Sequence, residues 1–177
     1  MNIVLIGFMG CGKSSVGRAL AKQLGAWHLD TDQEVEKREG MSIPDIFAKK
    51  GEGYFRQAET DLVKRLARQR GRKRLVISTG GGLPLRAENA TYLKEIGPVI
   101  WLRARPETIA DRVGPRLAHR PLVAGHADNL IGRIEELLGQ REPVYADVAD
   151  HMIDTDEFEK SSHVAEKIIE ELGLQKT

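Results

Sequence analysis

A glycine-rich segment near the start of the chain carries residues suited to binding phosphate groups. Residues 7–14 match the pattern G-x-x-x-x-G-K-[ST], whose glycines let backbone N–H groups turn toward phosphate oxygens. The helical pattern that follows would add the partial positive charge of a helix N-terminus at the same place. Lys13 can reach the outer phosphates, and Ser14 can offer its hydroxyl to Mg²⁺. The segment therefore predicts binding of ATP or GTP together with magnesium.

Two aspartates, Asp30 and Asp32, follow the second apolar run of the chain and stand two residues apart. In an extended chain both carboxylates would point to the same side. Beside a phosphate-binding loop, one could hold magnesium, directly or through water, and the other could accept a proton from an acceptor hydroxyl. The alternative is structural, because Asp32 could cap the helix whose pattern begins near Val35.

Two further segments have unusual compositions. Gly80, Gly81 and Gly82 follow another apolar run, and three bare glycines allow a ligand to approach the backbone closely. The alternative for them is an ordinary flexible turn. Segment 113–126 is rich in cationic groups, including Arg120, and this predicts a mobile lid that closes over phosphates and excludes water. An irregular surface loop is the alternative for that segment.

Several charged residues have no distinctive pattern when each is taken alone. Arg56 and Glu59 stand three apart on a helical pattern, which predicts a surface ion pair of small energy. Arg141 resembles a solvated arginine at a helix end. The basic run at 64–74 predicts a solvated helix face and loop, because no aromatic residues are interleaved to stack on bases. The alternative is a nucleic-acid-binding patch, as a nucleic-acid-dependent ATPase would have. The absence of CxxC and HxxxH pairs argues against a zinc site.

The elements that would position these residues alternate along the chain. Apolar runs predict strands at 3–6, 26–29, 75–78, 99–102 and, more weakly, 148–153. Helical patterns follow residue 13, begin near Ser42 and Pro106, cover 54–68 and 129–139, and end before Gly173. Strands that alternate with helices predict a parallel sheet covered on both faces. Ligands of such folds bind at the carboxyl ends of the strands, where the candidate residues lie.

The overall composition bounds the class of protein. The chain has 177 residues, 41% of them hydrophobic and 30% charged, with a net charge of +1, which predicts one globular domain. This balance favours neither nucleic acid nor an anionic membrane as a partner. The first apolar run begins at residue 3, leaving no room for a signal peptide, and the single cysteine, Cys11, cannot form an internal disulfide. A cytoplasmic enzyme is expected.

Taken together and in order, the motifs resemble the shikimate kinase family. The resemblance rests on the phosphate-binding loop, the L-D-T-D segment at 29–32, the G-E-x-Y-F-R-x-x-E segment at 51–59, the triple glycine and the R-P-L segment at 120–122. It implies transfer of the γ-phosphoryl group of ATP to the 3-hydroxyl of shikimate, in the pathway to aromatic amino acids. It also implies a monomer with the P-loop fold of the nucleoside monophosphate kinase type. That fold has a five-stranded parallel sheet of order 2-3-1-4-5, helices on both faces and a mobile lid.

The resemblance further implies a role for each matching residue, in a kinase domain that covers 1–177. The acceptor-binding region would lie at about 30–61 and the lid at about 113–126. The residues implied in catalysis are Asp32, Lys13 and Arg120. The residues implied in ATP binding are Gly10, Cys11, Gly12, Lys13, Ser14, Ser15, Arg112 and Arg120. The residues implied in shikimate binding are Asp32, Arg56, Glu59, Gly80, Gly81, Gly82 and Arg141. Ser14 and Asp30 would hold Mg²⁺.

Other functions remain as alternatives. A gluconate kinase would share the loop and lid but would not need two arginines aimed at a ring carboxylate. A GTPase would account for the D-x-x-G match at 111–114, yet the chain has no N-K-x-D guanine motif. Segment 154–158 lacks the arginine that some shikimate kinases carry beside adenine. Cys11 could be an activated thiolate, because it precedes a helix N-terminus, or a small side chain packed under the loop.

Overall fold

A five-stranded parallel sheet forms the centre of the molecule. The computed structural model describes residues 1–69, 71, 74–114 and 129–176. Its strands are β1 (Ile3–Ile6), β2 (Trp27–Asp30), β3 (Leu75–Ser78), β4 (Val99–Arg103) and β5 (His151–Asp154). They pair in parallel in the order β2-β3-β1-β4-β5, which confirms the predicted 2-3-1-4-5 sheet.

Eight α-helices connect and cover the strands in the described part of the chain. They are α1 (Lys13–Gln23), α2 (Thr31–Glu39), α3 (Ile43–Lys50), α4 (Glu52–Arg68), α5 (Ala87–Ile96), α6 (Pro106–Val113), α7 (Leu130–Val148) and α8 (Ser161–Glu171). Short 3₁₀ turns lie at Leu83–Leu85 and Thr155–Glu157. No helix among these residues is long and apolar enough to cross a lipid bilayer.

The direction of the crossovers explains how the helices are distributed. The connection from β1 to β2 runs toward one edge of the sheet, and the connections from β3 to β4 and from β4 to β5 run toward the other. Right-handed crossovers in opposite directions place their helices on opposite faces. Accordingly α1 packs with α8, whereas α5 packs with α4. The crossover connections thus reverse their direction across the sheet at β1. The crevice at the carboxyl end of β1 is therefore the expected ligand site.

The core is apolar where the sheet is covered on both faces. All four residues of β1 are buried, as expected of a central strand between two helical layers. β2 is an edge strand, and its Trp27 remains 67% exposed. The burial of β1 fixes the position of the loop that leaves its carboxyl end.

Two predicted helix boundaries are confirmed by their capping groups. Ser42 caps α3 by accepting a hydrogen bond from the Asp45 N–H at 3.3 Å. Gly173 follows α8 with a φ of +59° and donates to the carbonyl of Glu170 at 3.0 Å. A left-handed glycine in this position ends a helix without a steric penalty.

Other boundaries differ from the sequence patterns. The helix predicted at 129–139 continues to Val148 and contains Pro143. Gly139 and Pro143 both resemble helix ends in sequence, but the buried face of α7 extends through Tyr145 and Val148 and holds the helix together. Helix α5 was not predicted from the sequence, and the last strand begins at His151, three residues later than the pattern suggested.

Candidate active site

The predicted phosphate-binding loop, the two aspartates and the triple glycine meet at one edge of the sheet. Asp30 of β2 lies beside Ser78 of β3, and Ser78 lies beside Leu5 of β1, so the segments that follow these strands are neighbours. They surround a cleft of about 590 Å³. Its lining includes Met9, Gly10, Gly12, Lys13, Ser14, Ser15, Arg18, Asp30, Asp32, Gln33, Thr79, Gly80, Gly81, Arg112 and Val113.

Three glycines of the loop, Gly7, Gly10 and Gly12, have positive φ values that favour glycine. Gly10 and Gly12 have φ values of +77° and +98°, in the left-handed region that side chains rarely adopt. A Cβ on Gly10 would also lie 2.8 Å from the Val113 side chain. Because Gly12 is the residue that caps α1, no side chain competes for the first N–H groups of that helix. Those groups face the cleft as an anion-binding terminus.

The side chain of Lys13, which was predicted to bind phosphates, lies inside the glycine-rich loop. Its Nζ donates hydrogen bonds to the carbonyl oxygens of Gly7, at 2.9 Å, and Phe8, at 2.7 Å. The Sγ of Cys11 lies 3.7 Å from the same ammonium group. Cys11 is only 1% exposed, which favours the interpretation of a small side chain packed under the loop. The loop therefore concentrates a buried cation where phosphate oxygens would bind.

Ser14 and Asp30, predicted to share a magnesium ion, lie in direct contact. The Ser14 hydroxyl donates to Oδ2 of Asp30 at 2.6 Å. The other carboxylate oxygen accepts from the N–H groups of Asp32, at 3.1 Å, and Gln33, at 3.4 Å. The predicted alternative of Asp32 as a helix cap is therefore wrong, because Asp30 caps α2. Asp32 lies in the first turn of that helix, so the expected extended chain with both carboxylates on the same side is not formed.

The donor set at this place fits magnesium. Mg²⁺ prefers oxygen ligands, keeps several waters, and takes one or two protein groups together with substrate phosphates. Within the described ranges no group of three or more His, Cys, Asp or Glu side chains could hold a metal ion by itself. A Mg²⁺ at Ser14 and Asp30 would accordingly depend on nucleotide phosphates and water to complete its coordination.

The triple glycine provides space for charged side chains. A Cβ on Gly80 would collide with Oδ1 of Asp32 and lie 3.2 Å from Oε1 of Glu59. A Cβ on Gly82 would lie 2.7 Å from Nη1 of Arg56. Neither glycine has a positive φ, so the requirement is for space and not for backbone conformation.

The middle glycine, Gly81, faces both the phosphate-binding loop and an arginine. Its Cβ position lies 3.4 Å from the backbone of Gly7 and Met9 and 3.8 Å from Nη1 of Arg141. Together the three glycines form one wall, which we call the glycine wall (80–82). The structure thereby brings Asp32, Glu59, Arg56 and Arg141 to one surface.

Arg56 and Glu59 form the expected ion pair, but Glu59 is buried, so the predicted surface location of the pair is wrong. Glu59 is 1% exposed, and its Oε2 accepts from Nη1 of Arg56 at 2.8 Å. Burial raises the pKa of Glu59 to about 7; the charge and hydrogen bond of Arg56 oppose this rise, and the charge of Asp32 adds to it. Arg56 also contacts Glu52 at 3.1 Å, so two carboxylates hold its guanidinium beside the glycine wall.

Arg141 is also buried, contrary to the expectation of a solvated helix end. Because α7 continues to Val148, Arg141 lies in the helix interior and is only 8% exposed. Its Nη1 is buried and has no hydrogen-bond partner in the part of the chain that the structure describes. The Tyr145 hydroxyl, one turn later, donates to the Gly81 carbonyl at 2.7 Å, and burial raises the pKa of Tyr145 to about 12. A buried, unpaired guanidinium N–H suits an anionic ligand.

Arg112 lines the cleft beside the glycine-rich loop. Its Nη1 donates to the Gly10 carbonyl at 3.2 Å, so the side chain covers the phosphate-binding loop. Arg120 and most of the predicted lid lie outside the described residues. In segment 154–158, the carboxylate of Asp156 accepts from the Arg105 N–H at 2.6 Å, which ties this segment to the start of α6.

Sequence reasoning missed two residues of this region. Thr31, between the two aspartates, is fully buried, and its hydroxyl oxygen accepts from the Gly80 N–H at 2.9 Å. Arg18 lines the cleft one turn after Ser14 on the same face of α1. The helical spacing from Ser14 was a signal for Arg18, but the Thr31 contact spans 49 positions and has no local signal.

The fold and the cleft define a class of protein. A P-loop at the switch point of a 2-3-1-4-5 parallel sheet, beside the glycine wall with two arginines and a carboxylate, is the arrangement of a small-molecule kinase. The family model of shikimate kinase matches residues 9–173. The chain belongs to the shikimate kinase family.

Known proteins support this membership in sequence and in structure. A shikimate kinase of Symbiobacterium thermophilum is 46% identical over 173 residues, which cover 97% of this chain and 96% of that protein. A shikimate kinase of Acinetobacter baumannii, solved in complex with shikimate, has a TM-score of 0.88 and 39% identity over 97% of this chain and 92% of that one. The tunicamycin resistance protein of Deinococcus radiodurans has a TM-score of 0.65 at 16% identity over 99% of this chain and 98% of that one, and shares the fold alone.

Proposed function

We propose that this protein transfers the γ-phosphoryl group of ATP to the 3-hydroxyl of shikimate. The observation that carries the proposal is the convergence of Arg56, Arg141 and Asp32 on the glycine wall, directly beside the P-loop. Shikimate offers one carboxylate and several hydroxyls. Two guanidinium groups suit the carboxylate, and an aspartate suits the hydroxyls. The Acinetobacter baumannii relative was solved with shikimate bound.

On the nucleotide side, the loop N–H groups and Lys13 would hold the β- and γ-phosphates of ATP. Ser14 and Asp30 would hold Mg²⁺, which supplies charge neutralisation for the phosphates when it is bound. Arg112, already above the loop, would contact the nucleotide base. Arg120, which lies outside the described residues, would close over the γ-phosphate with the rest of the lid. The other members of the set that binds ATP are Gly10, Cys11, Gly12 and Ser15.

On the acceptor side, Arg141 and Arg56 would bind the shikimate carboxylate, and Glu59 would orient Arg56. Asp32 would accept a hydrogen bond from the acceptor hydroxyl and receive its proton during transfer. Phosphoryl transfer depends mainly on positioning and on cations around the γ-phosphate. The protein would therefore contribute the distance between the two bound substrates and, through the lid, the exclusion of water from ATP.

The remaining predictions about the protein belong to this proposal. The chain would act as one kinase domain and as a monomer, with ATP and shikimate as its partners. It would work in the cytoplasm without nucleic acid or membrane. The length of 177 residues supports a single domain, and the net charge of +1 supports the absence of nucleic acid and anionic membrane as partners.

The proposal is tested by measuring ADP release with Mg-ATP and a panel of acceptors. Shikimate should be phosphorylated, while gluconate and nucleoside monophosphates should not. Asp32→Asn should lower kcat strongly with little change in the KM for ATP, because Asp32 faces the acceptor. Asp61→Asn is the matched control, since it removes the same charge from an exposed position of α4 outside the cleft. Equal or faster turnover of gluconate would refute the proposal and favour a gluconate kinase.

A further inference from the structure

The side chain of Phe8 has no place in the nucleotide site, although Phe8 belongs to the P-loop. It is 1% exposed and does not line the cleft. Its backbone carbonyl accepts the hydrogen bond from Lys13 Nζ at 2.7 Å. Its ring, in contrast, faces the acceptor side, with its centroid 5.3 Å from Cζ of Arg141. The backbone and side chain of this one residue thus contact the two halves of the site.

The two acceptor arginines are held in different ways. Arg56 is paired with Glu59 and Glu52, at 2.8 and 3.1 Å, so carboxylates compensate its charge. Arg141 lies against the Phe8 ring, and its buried Nη1 has no hydrogen-bond partner within the described ranges. An aromatic face attracts a guanidinium through its quadrupole without neutralising it, and the attraction is larger in a desolvated site. Arg141 can therefore be fixed in place while its charge stays available to an anion.

We propose that Phe8 is a positioning residue for the acceptor, acting through Arg141. Its ring face holds the Arg141 guanidinium beside Gly81, in the orientation that meets the carboxylate of the acceptor. The inference deepens the proposed function and rests on it. It predicts that a P-loop side chain controls affinity for shikimate and leaves affinity for ATP nearly unchanged.

The test uses a series of fluorinated phenylalanines at position 8 of the full-length protein, namely 4-fluoro, 3,5-difluoro and pentafluoro. Fluorine weakens the ring quadrupole stepwise with little change in size. The KM for shikimate should rise along the series, by about tenfold for the pentafluoro ring. The KM for ATP and the thermal midpoint should stay nearly constant. A purely steric role of Phe8 would leave the KM for shikimate flat and would refute the proposal.

A second set of variants separates the ring from general packing. Phe8→Leu keeps an apolar side chain but removes the aromatic face, so its KM for shikimate should also rise above the wild-type value. Leu20→Ala, at a buried position of α1 outside the cleft, should lower the thermal midpoint without changing that KM. A parallel rise in the KM for ATP in Phe8→Leu would indicate distortion of the loop and overturn the inference. Absence of any shikimate turnover in the wild-type protein would instead refute the proposed function.

Discussion

Replacement of Gly82 by alanine tests whether the glycine wall sets the position of Arg56. The new Cβ would lie 2.7 Å from Nη1 of Arg56 and 3.1 Å from both Cζ and Nη2. To restore ordinary contact at 3.4 Å, the guanidinium must retreat by about 0.7 Å. Gly82 has a φ of −88°, which alanine adopts freely, so the change adds a methyl group without straining the backbone.

The expected change in the KM for shikimate follows from the Arg56–Glu59 hydrogen bond, which this displacement would break. The Arg56–Glu59 contact is 2.8 Å long, and a shift of this size leaves it too long for a good hydrogen bond. A hydrogen bond to a charged group contributes about 1.5–3 kcal/mol, and about 1.4 kcal/mol corresponds to a factor of ten. The KM for shikimate should therefore rise about 10- to 100-fold in Gly82→Ala, with little change in the KM for ATP.

Steady-state kinetics with each substrate varied in turn would measure this effect. Gly139→Ala is the matched control, because it adds the same methyl group in α7 where no atom lies within 4 Å. The control should keep wild-type kinetics and gain about 0.5–1 kcal/mol in stability from its helical position. If Gly82→Ala keeps a wild-type KM for shikimate, the wall does not position Arg56 and the reasoning fails.

Three further predictions concern the other parts of the site. The pKa of Glu59 is raised from its ordinary value of 4.5 to about 7. Between pH 4.5 and pH 7 the folded state therefore holds a proton on Glu59 that the unfolded state has lost. The free energy of unfolding should consequently fall by up to about 3 kcal/mol as the pH rises from 4.5 to 7, and denaturant titrations should show no such difference in Glu59→Gln. Asp30→Asn should raise the Mg²⁺ concentration needed for half-maximal activity, while shikimate affinity measured without nucleotide stays constant; a constant Mg²⁺ requirement would contradict the site at Ser14 and Asp30. Cys11→Ser should stay active. The buried thiol of the wild-type protein should react slowly with a bulky thiol reagent, and more slowly still when ATP is present. Rapid complete labelling without loss of activity would show that Cys11 does not border the phosphates.

Much of the nucleotide half of the site could be predicted because it is local in sequence. The P-loop, the end of β1 and the start of α1 are contiguous, and a positive φ at glycines such as Gly10 is a property of the loop itself. The Ser14–Asp30 pair was predicted from the family resemblance, and the carboxyl-end rule for parallel sheets accounts for their proximity. The family resemblance and the strand order were confirmed.

The acceptor half was harder to predict because burial depends on distant segments. Glu59 and Arg141 resemble solvated charges in sequence, and only the packing of α4 and α7 around the glycine wall shows them to be buried. The capping role of Asp30 was assigned to Asp32, since both residues precede the same helix and both types are good caps. The length of α7 was underestimated because Gly139 and Pro143 look like helix ends. The buried face that keeps α7 helical depends on tertiary packing, which the sequence pattern does not show.

Asp30 and Asp32 belong to one short covalent segment, so the chain itself limits the distance between the proposed metal site and the proposed acceptor site. Neighbouring Cα atoms are about 3.8 Å apart, so these two carboxylates cannot drift apart as side chains on separate loops can. Thr31, between them, binds the Gly80 N–H and attaches the same segment to the glycine wall. A substitution at Thr31 should therefore move both ends together.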